Sequence, residues 1–279
     1  MTLLGAAEIR ALAEKLDLKP AKALGQNFVI DANVCRKIVR TAGVTAGDVA
    51  LEIGPGLGSL TLALMEEATS VIAVEIDSRL ANQLPITAAL HSDRSEILTV
   101  INQDALQVKS LPGAPTVLVA NLPYNVSVPV FLHLLEILPT LRSGVVMVQA
   151  EVADRLAAKP NTKEYGIPSV KAAWWAEVSG AGSVSRSIFW PAPNVDSKLV
   201  GFKRRSTTGD ETLRKEVFTI IDLAFAQRRK MLRAALSSRY GGSSAAEAHL
   251  IAAGIDPTLR GESLDIHGFC KIAQQGLES

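Results

Sequence analysis

The hydrophobic residues of the chain are concentrated in short runs that are apolar on both faces for most of their length. They are "VALEI" (49–53), "VIAVEI" (71–76), "ILTVI" (97–101), "TVLVA" (116–120) and "GVVMVQA" (144–150). Runs of this length that are rich in β-branched residues are typical of strands buried in a parallel sheet. The pattern therefore predicts a core built on such a sheet.

Helical patterns separate these strands, as in "SLTLALMEEA", "SRLANQLPITAAL" and "VPVFLHLLEIL". Alternating strands and helices predict βαβ units and a doubly wound α/β fold. Two later runs, "EVSGAGSV" and "SKLVGFKR", would extend the sheet, and the pattern is wholly helical after residue 210. The polar cluster "STTGDE" (206–211) marks a boundary. We expect one domain over residues 1–205 and a helical domain over 206–279.

Composition narrows the class of protein. The 279 residues are 48% hydrophobic and 20% charged, with a net charge of +1 that does not by itself indicate a nucleic-acid partner. The chain has no apolar run of the ~18 residues that a membrane span needs, and its start predicts an amphipathic helix rather than a signal peptide. Cys35 and Cys270 lack metal-ligand spacing, and the four histidines are scattered. We expect a cytoplasmic protein without a metal site.

Three glycines follow the first strand directly. In "LEIGPGLGSL", Gly54, Gly56 and Gly58 precede a predicted helix, where glycine lets the backbone pass close to a ligand. The dinucleotide fingerprint requires its third glycine three residues after the second, where Ser59 stands. This spacing argues against a dehydrogenase that uses NAD. A tight turn without a ligand remains the alternative.

Polar side chains follow the next strands at their carboxyl ends. Glu75 ends the second strand and can accept hydrogen bonds from ribose hydroxyls, Asp104 follows the third and could accept from an adenine amine, and Asn121 ends the fourth. Each could instead be a capping residue. Because carboxyl ends of parallel strands share one edge of a sheet, together they predict a pocket for a cofactor that carries a nucleoside.

These motifs resemble a known family. "LGQNFVID", "LEIGPGLGSLT", "VIAVEID", "NQDAL" and "NLPYNVSVPV" are similar to those of the ribosomal RNA adenine dimethyltransferases. "SIFWPAPNVDS" and "FAQRRKMLRAAL" narrow the resemblance to the bacterial group that dimethylates two adjacent adenines near the 3′ end of 16S rRNA. The resemblance runs from about residue 22 to the C terminus.

The resemblance implies a Rossmann-like class I methyltransferase domain that binds S-adenosylmethionine (SAM). It also implies 16S rRNA in the small ribosomal subunit as the partner and a monomeric enzyme. Residues 1–30 would then form a helical segment and a loop that covers the cofactor, with Asn27 and Val29 bordering SAM beside Gln26.

The motif Asn121–Tyr124 suits chemistry on an adenine amine, whose lone pair is delocalised into the ring. Two acceptors aimed at its N–H bonds would free the lone pair for methylation, and we assign them to the Asn121 side chain and the Leu122 carbonyl. Pro123 stiffens the turn and removes a donor. The ring of Tyr124 offers a surface on which the base can stack.

The proline-rich loop "SIFWPAPNVDS" (187–197) contains a second aromatic residue that could contact the target base. By family likeness, Phe189 closes over an adenine that has left its stack, although aromatics in such a loop can also simply pack against the core. The chain departs from the family pattern at Ala192 and Asn194, which puts the stiffness of the loop and one phosphate contact in doubt.

The tail carries a basic run, Arg228, Arg229, Lys230 and Arg233, which we expect on one side of a helix and in contact with rRNA phosphates. A solvated helix face is the alternative.

Two other functions are compatible with the motifs. One is methylation of an adenine in 23S rRNA, of the macrolide-resistance type. The other is an assembly factor that binds rRNA without catalysis, although such a protein need not keep an intact glycine loop and catalytic motif.

Overall fold

The computed structural model describes residues 2–18, 27–206 and 209–277, which form two compact units. The first comprises Met1–Ala153 and Ser179–Arg204, and the second comprises Asp154–Val178 and Arg205–Ser279. The second unit thus contains a segment, residues 154–178, that the sequence pattern assigns to the first domain. Within the second unit, the phenol of the buried Tyr165 donates a hydrogen bond of 2.8 Å to the Leu264 carbonyl. This long-range bond ties that segment to the C-terminal helices.

The strands and helices follow the predicted alternation closely. The strands are β1 (Phe28–Val29), β2 (Val49–Ile53), β3 (Ser70–Glu75), β4 (Leu98–Asn102), β5 (Val117–Asn121), β6 (Ser143–Gln149), β7 (Ala176–Val184), β8 (Phe189–Trp190) and β9 (Ser197–Arg204). The helices are α1 (Ala6–Lys15), α2 (Ala32–Ala42), α3 (Ser59–Glu67), α4 (Ser78–His91), α5 (Ser127–Ile137), α6 (Ala150–Leu156), α7 (Ile167–Ala173), α8 (Glu211–Ala226), α9 (Leu232–Ala235), α10 (Ser237–Tyr240), α11 (Ser243–Ala252) and α12 (Ile266–Leu277).

The main sheet has seven strands in the order β4-β3-β2-β5-β6-β9-β7. Its pairs from β4 to β6 are parallel, and β9 pairs with β6 antiparallel. The predicted α/β fold with a mostly parallel sheet is confirmed. The side chains of β2, β3 and β5 are almost all buried, because helices cover both faces of such a sheet.

The strand order reverses between β2 and β5. From β2 the chain proceeds outward to β3 and β4, and then crosses back to β5 and β6 on the other side. The loops after β2 and β5 therefore leave the sheet in different directions and open a crevice at their carboxyl ends. Open α/β sheets bind ligands at such a point.

A small second sheet joins two distant segments of the first unit. β1 pairs antiparallel with β8, with Phe28 opposite Trp190 and Val29 opposite Phe189. The amide of Ile30 continues this pairing with a bond of 2.7 Å to the carbonyl of Ile188.

The prediction that the basic run lies along one helix is wrong. Helix α8 ends at Ala226, a turn follows, and α9 begins at Leu232. The amide of Leu232 bonds to the carbonyl of Leu259 at 2.7 Å, and that of Arg233 bonds to Pro257 at 3.2 Å. These tertiary bonds replace the i→i−4 bonds that a continuous helix would need, so the cations do not share one helical face.

No helix in the described part of the chain is long and apolar enough to cross a membrane.

Candidate active site

A cavity of about 210 Å³ lies in the first unit, where β2, β3 and β5 end. Every residue that the sequence assigned to cofactor binding lines it. They are Asn27, Val29, Gly54, Gly56, Glu75, Asp104 and Asn121. The fold thus brings together side chains and glycines from five separate segments, in the crevice expected from the strand order.

The glycine loop passes close to residues 27–31, here called the covering segment, of which Asn27, Phe28 and Val29 line the cavity. Gly54 and Gly56 have φ angles of 67° and 58°, in the left-handed region that favours glycine. A Cβ atom at Gly56 would lie only 3.0 Å from the ring of Phe28. Glycine at position 56 therefore allows the left-handed backbone conformation and leaves room for the ring of Phe28.

Glu75 is buried at the end of β3 and faces the cavity. One carboxylate oxygen accepts a hydrogen bond from the amide of Gly56 at 3.1 Å, and the other accepts from Asp77 at 3.0 Å. Burial raises the pKa of the Glu75 carboxyl, although these amide bonds partly oppose the rise. Each carboxylate oxygen retains a second lone pair, so the fixed carboxylate can still accept from two hydroxyl groups.

Asp104 caps a turn and also faces the cavity. Its carboxylate caps a short 3₁₀ turn by accepting from the amide of Leu106 at 2.9 Å, and it also lines the cavity. The cap fixes the orientation of the carboxylate.

Glu52 is a second buried acid in the cavity wall, and the sequence pattern did not single it out. Its side chain is 1% exposed and accepts a hydrogen bond of 2.6 Å from the hydroxyl of Thr61. Burial raises its pKa from the ordinary value of 4.5 to about 8, the Thr61 bond opposes this rise, and the nearby Glu75 charge adds to it. The available signal was an acidic residue inside the otherwise apolar strand "VALEI".

The rest of the cavity combines apolar walls with acidic groups. Ile76, Leu106 and Val130 give it apolar walls, while Glu52 and Glu75 place two carboxyl groups beside them. Such walls suit a flat ring, and a buried carboxyl group beside them attracts a cationic ligand only in its ionised form. The described residues contain no group of three or more His, Cys, Asp or Glu side chains that could hold a metal ion.

Asn121 stands at the tip of β5 with its amide already oriented. Its side-chain nitrogen donates a hydrogen bond of 3.1 Å to the carbonyl oxygen of Asn27. Because the nitrogen is engaged by the covering segment, the amide oxygen is directed away from that segment and can accept from another group.

The covering segment is held at several points. The hydroxyl of Ser59, at the start of α3, donates a bond of 2.6 Å to the carbonyl of Val29. Asp31 caps α2 by accepting from the amides of Asn33 and Val34. Gln26 lies outside the described residues.

The remaining residues of the motif Asn121–Tyr124 form the turn after β5. The amide of Leu122 bonds to the Met147 carbonyl at 3.1 Å, and Pro123 lines the cavity. Neither Leu122 nor Tyr124 is part of the cavity wall. The ring of Tyr124 is half-buried, and its hydroxyl lies 2.9 Å from the hydroxyl of Ser197.

Phe189 lies in the hydrophobic core and not on the cavity wall. It is 3% exposed and pairs with Val29 through the small sheet. Trp190, its neighbour, stacks on Phe28 with 6.4 Å between ring centroids. The role of Phe189 in closing over a base therefore stays a prediction, and it would require this side chain to leave the core.

Within the second unit, two of the four residues of the basic run pair with carboxylates and the other two are exposed. Arg228 bonds to the carboxylate of Glu262 at 2.8 Å and to the carbonyl of Lys163 at 2.7 Å. Arg233 pairs with Glu247 at 3.1 Å. The other two, Arg229 and Lys230, are exposed in the turn before α9.

The chain is similar in sequence to known rRNA methyltransferases. A family model described as ribosomal RNA adenine dimethylase matches residues 18–275. A protein of Leifsonia xyli subsp. xyli named ribosomal RNA small subunit methyltransferase A is 60% identical over 275 residues, which cover 98% of each chain.

Solved structures share the fold. A dimethyladenosine transferase from Plasmodium falciparum superposes with a TM-score of 0.76 at 24% identity, over 89% of this chain and 98% of that one. The 23S rRNA methyltransferase ErmE superposes with a TM-score of 0.66 at 26% identity, over 89% and 99% of the two chains.

Proposed function

Because the chain belongs to the ribosomal RNA adenine dimethylase family, we propose that it transfers methyl groups from SAM to the exocyclic amines of two adjacent adenines. The proposed target lies near the 3′ end of 16S rRNA in the small ribosomal subunit. The observation that carries this proposal is the orientation of Asn121, whose amide nitrogen is held by Asn27 at the rim of a nucleoside-sized cavity.

We assign cofactor binding to the wall of the cavity. Glu75 would hold the ribose hydroxyls, Asp104 the adenine amine, and the glycine loop would lie against the rest of the cofactor. Bound SAM supplies an electrophilic methyl group on a positively charged sulfur, so no strong general base is needed. The protein then has to hold the lone pair of the target nitrogen in line with that methyl group.

We assign that task to the turn after β5. The oxygen of Asn121 and the carbonyl of Leu122 would accept the two N–H bonds of the target amine, which draws its lone pair out of conjugation. Pro123 contributes no amide donor to compete for these acceptors. Tyr124 would stack on the base and keep it next to Asn121.

Arg229 and Lys230 would bind rRNA phosphates from the second unit. The substrate proposed here places the protein in the cytoplasm, and a monomer remains our prediction for its active form.

The identity of 60% to a small-subunit enzyme favours 16S over 23S rRNA as the target, since the identity to the 23S enzyme ErmE is only 26%. The decisive experiment uses labelled SAM with small subunits and, separately, large subunits from cells that lack this protein. We expect label in two adjacent adenines near the 3′ end of 16S rRNA. Label in 23S rRNA would support the rival enzyme, and binding of small subunits without transfer would support the assembly factor.

A further inference from the structure

Ser197 contacts the catalytic motif from outside the cavity. Its hydroxyl lies 2.9 Å from that of Tyr124, and the two residues are 73 positions apart in the sequence. Ser197 is 1% exposed and does not line the cavity. A buried hydroxyl needs a hydrogen-bond partner, and here the partner is the hydroxyl of Tyr124, whose ring we expect to stack on the target base.

The anchor point is rigid. Ser197 is the first residue of β9, opposite Gln149 in the antiparallel pairing with β6, which continues for seven residue pairs. Next to it, the amide of Ala150 bonds to the carbonyl of Asp196 at 2.8 Å. The Ser197 hydroxyl is therefore held by the main sheet.

The ring of Tyr124 needs such an anchor because its own backbone lies in a turn. The amide of Val126 bonds to the Pro123 carbonyl at 3.2 Å, and α5 begins only at Ser127. A tyrosine ring turns about two torsions, and the second has broad preferences. The phenol oxygen lies on the axis of the second torsion, so a hydrogen bond at the far end of the ring limits the first torsion and fixes where the ring lies.

We propose that Ser197 is a positioning residue for methyl transfer: through its hydrogen bond to Tyr124 it fixes the ring on which the target adenine stacks. This inference rests on the proposed function. Because Tyr124 follows Asn121 by three residues, fixing the ring also fixes the distance between the stacked base and the Asn121 oxygen. Misplacement of a reacting group by about 1 Å can reduce a rate as much as 100-fold.

The test compares Ser197→Ala, Tyr124→Phe and the double variant in single-turnover methyl transfer to unmethylated small subunits. Each single change removes the same hydrogen bond, so we expect a rate loss of about 10-fold in each and no further loss in the double variant. SAM affinity, measured by calorimetry, should be unchanged because Ser197 is outside the cavity. Ser197→Thr, which keeps the hydroxyl, should recover most of the rate.

A matched control separates positioning from general stability. Ser169→Ala removes another buried serine, whose hydroxyl donates to the carbonyl of Arg155 in the second unit. It should lower the thermal midpoint without reducing the rate. If Ser197→Ala does not fold, Tyr124→Phe alone tests the proposal. Wild-type activity of Tyr124→Phe would then overturn it.

Several results would contradict this role. Losses that multiply in the double variant would show that the two hydroxyls act independently. A loss in Tyr124→Phe with none in Ser197→Ala would assign the phenol to the substrate instead. If the wild-type protein transfers no methyl group to small subunits, the proposed function itself fails and this role fails with it.

Discussion

The side-chain nitrogen of Asn121 donates a hydrogen bond of 3.1 Å to the main-chain carbonyl of Asn27, 94 residues earlier in the chain. This bond joins the tip of β5 to the segment that covers the cavity. Both residues line the cavity, so the group assigned to the target amine is held by part of the cofactor pocket. Correct orientation of the amide oxygen thus depends on the covering segment being in place.

Asn121→Ala should reduce methyl transfer by about 10²–10³-fold, because the amide contributes more in the transition state than in the ground state. SAM and subunit affinities should fall only modestly. Single-turnover assays with saturating subunits provide the measurement.

Asn121→Asp is the matched variant. It keeps the acceptor but places a second oxygen against the Asn27 carbonyl, so it should weaken SAM binding as well as the rate. An aspartate variant with normal SAM affinity would contradict the link between this side chain and the covering segment.

Glu75→Ala should weaken SAM binding by about 2–3 kcal/mol, because it removes charge-assisted acceptors for the ribose hydroxyls. Titration calorimetry measures the affinity, and small-subunit binding should persist. Glu67→Ala is the control, since it removes an exposed acid at the end of α3, away from the cavity wall. Equal affinities of the Glu75 variant and wild type would exclude Glu75 from the site.

Glu52→Gln should stabilise the cofactor-free protein by an amount that depends on pH. Burial raises the pKa of Glu52 from 4.5 to about 8, so between these values the folded state binds a proton that the unfolded state has lost. The contribution of this group to the free energy of unfolding of the wild type therefore falls as pH rises from 4.5 to about 8. Outside that range the contribution is constant. Glutamine stays neutral throughout.

Urea unfolding of both proteins across this pH range measures the effect. The advantage of Glu52→Gln should grow with pH up to about 8 and then level off. A difference that does not change with pH would mean that Glu52 ionises normally in the folded protein.

Changing Arg229 and Lys230 together to Ala should weaken binding to small subunits and flatten its salt dependence. For every phosphate that is no longer neutralised, the log–log slope should decrease by roughly 0.7–0.9. The rate at saturating substrate should suffer less, because neither residue lines the cavity.

Arg228→Ala serves as the comparison, since its guanidinium is bonded to Glu262 and to the Lys163 carbonyl. It should lower the free energy of unfolding by about 1 kcal/mol and alter the salt slope less. If Arg228→Ala changes the salt slope more than the double variant does, phosphate binding belongs to Arg228 instead.

The sequence by itself determined the sheet and the position of the site. Apolar runs, glycines and turn residues act locally, so the strands, the glycine loop and the helical tail could be predicted to within a residue or two. Parallel strands share one carboxyl edge, which is why Glu75, Asp104 and Asn121 could be placed around one cavity from the sequence pattern.

Only the tertiary structure decided which groups hold one another across long separations. The bonds from Asn121 to Asn27 and from Tyr124 to Ser197 join segments 94 and 73 residues apart, and no local pattern encodes such a partner. The break in the basic run has the same origin, because the amides of Leu232 and Arg233, beyond the end of α8, bond to a loop some 25 residues later instead of to the preceding turn. Burial of Glu52 and Phe189 is likewise a property of packing, since both depend on what the rest of the chain places around them.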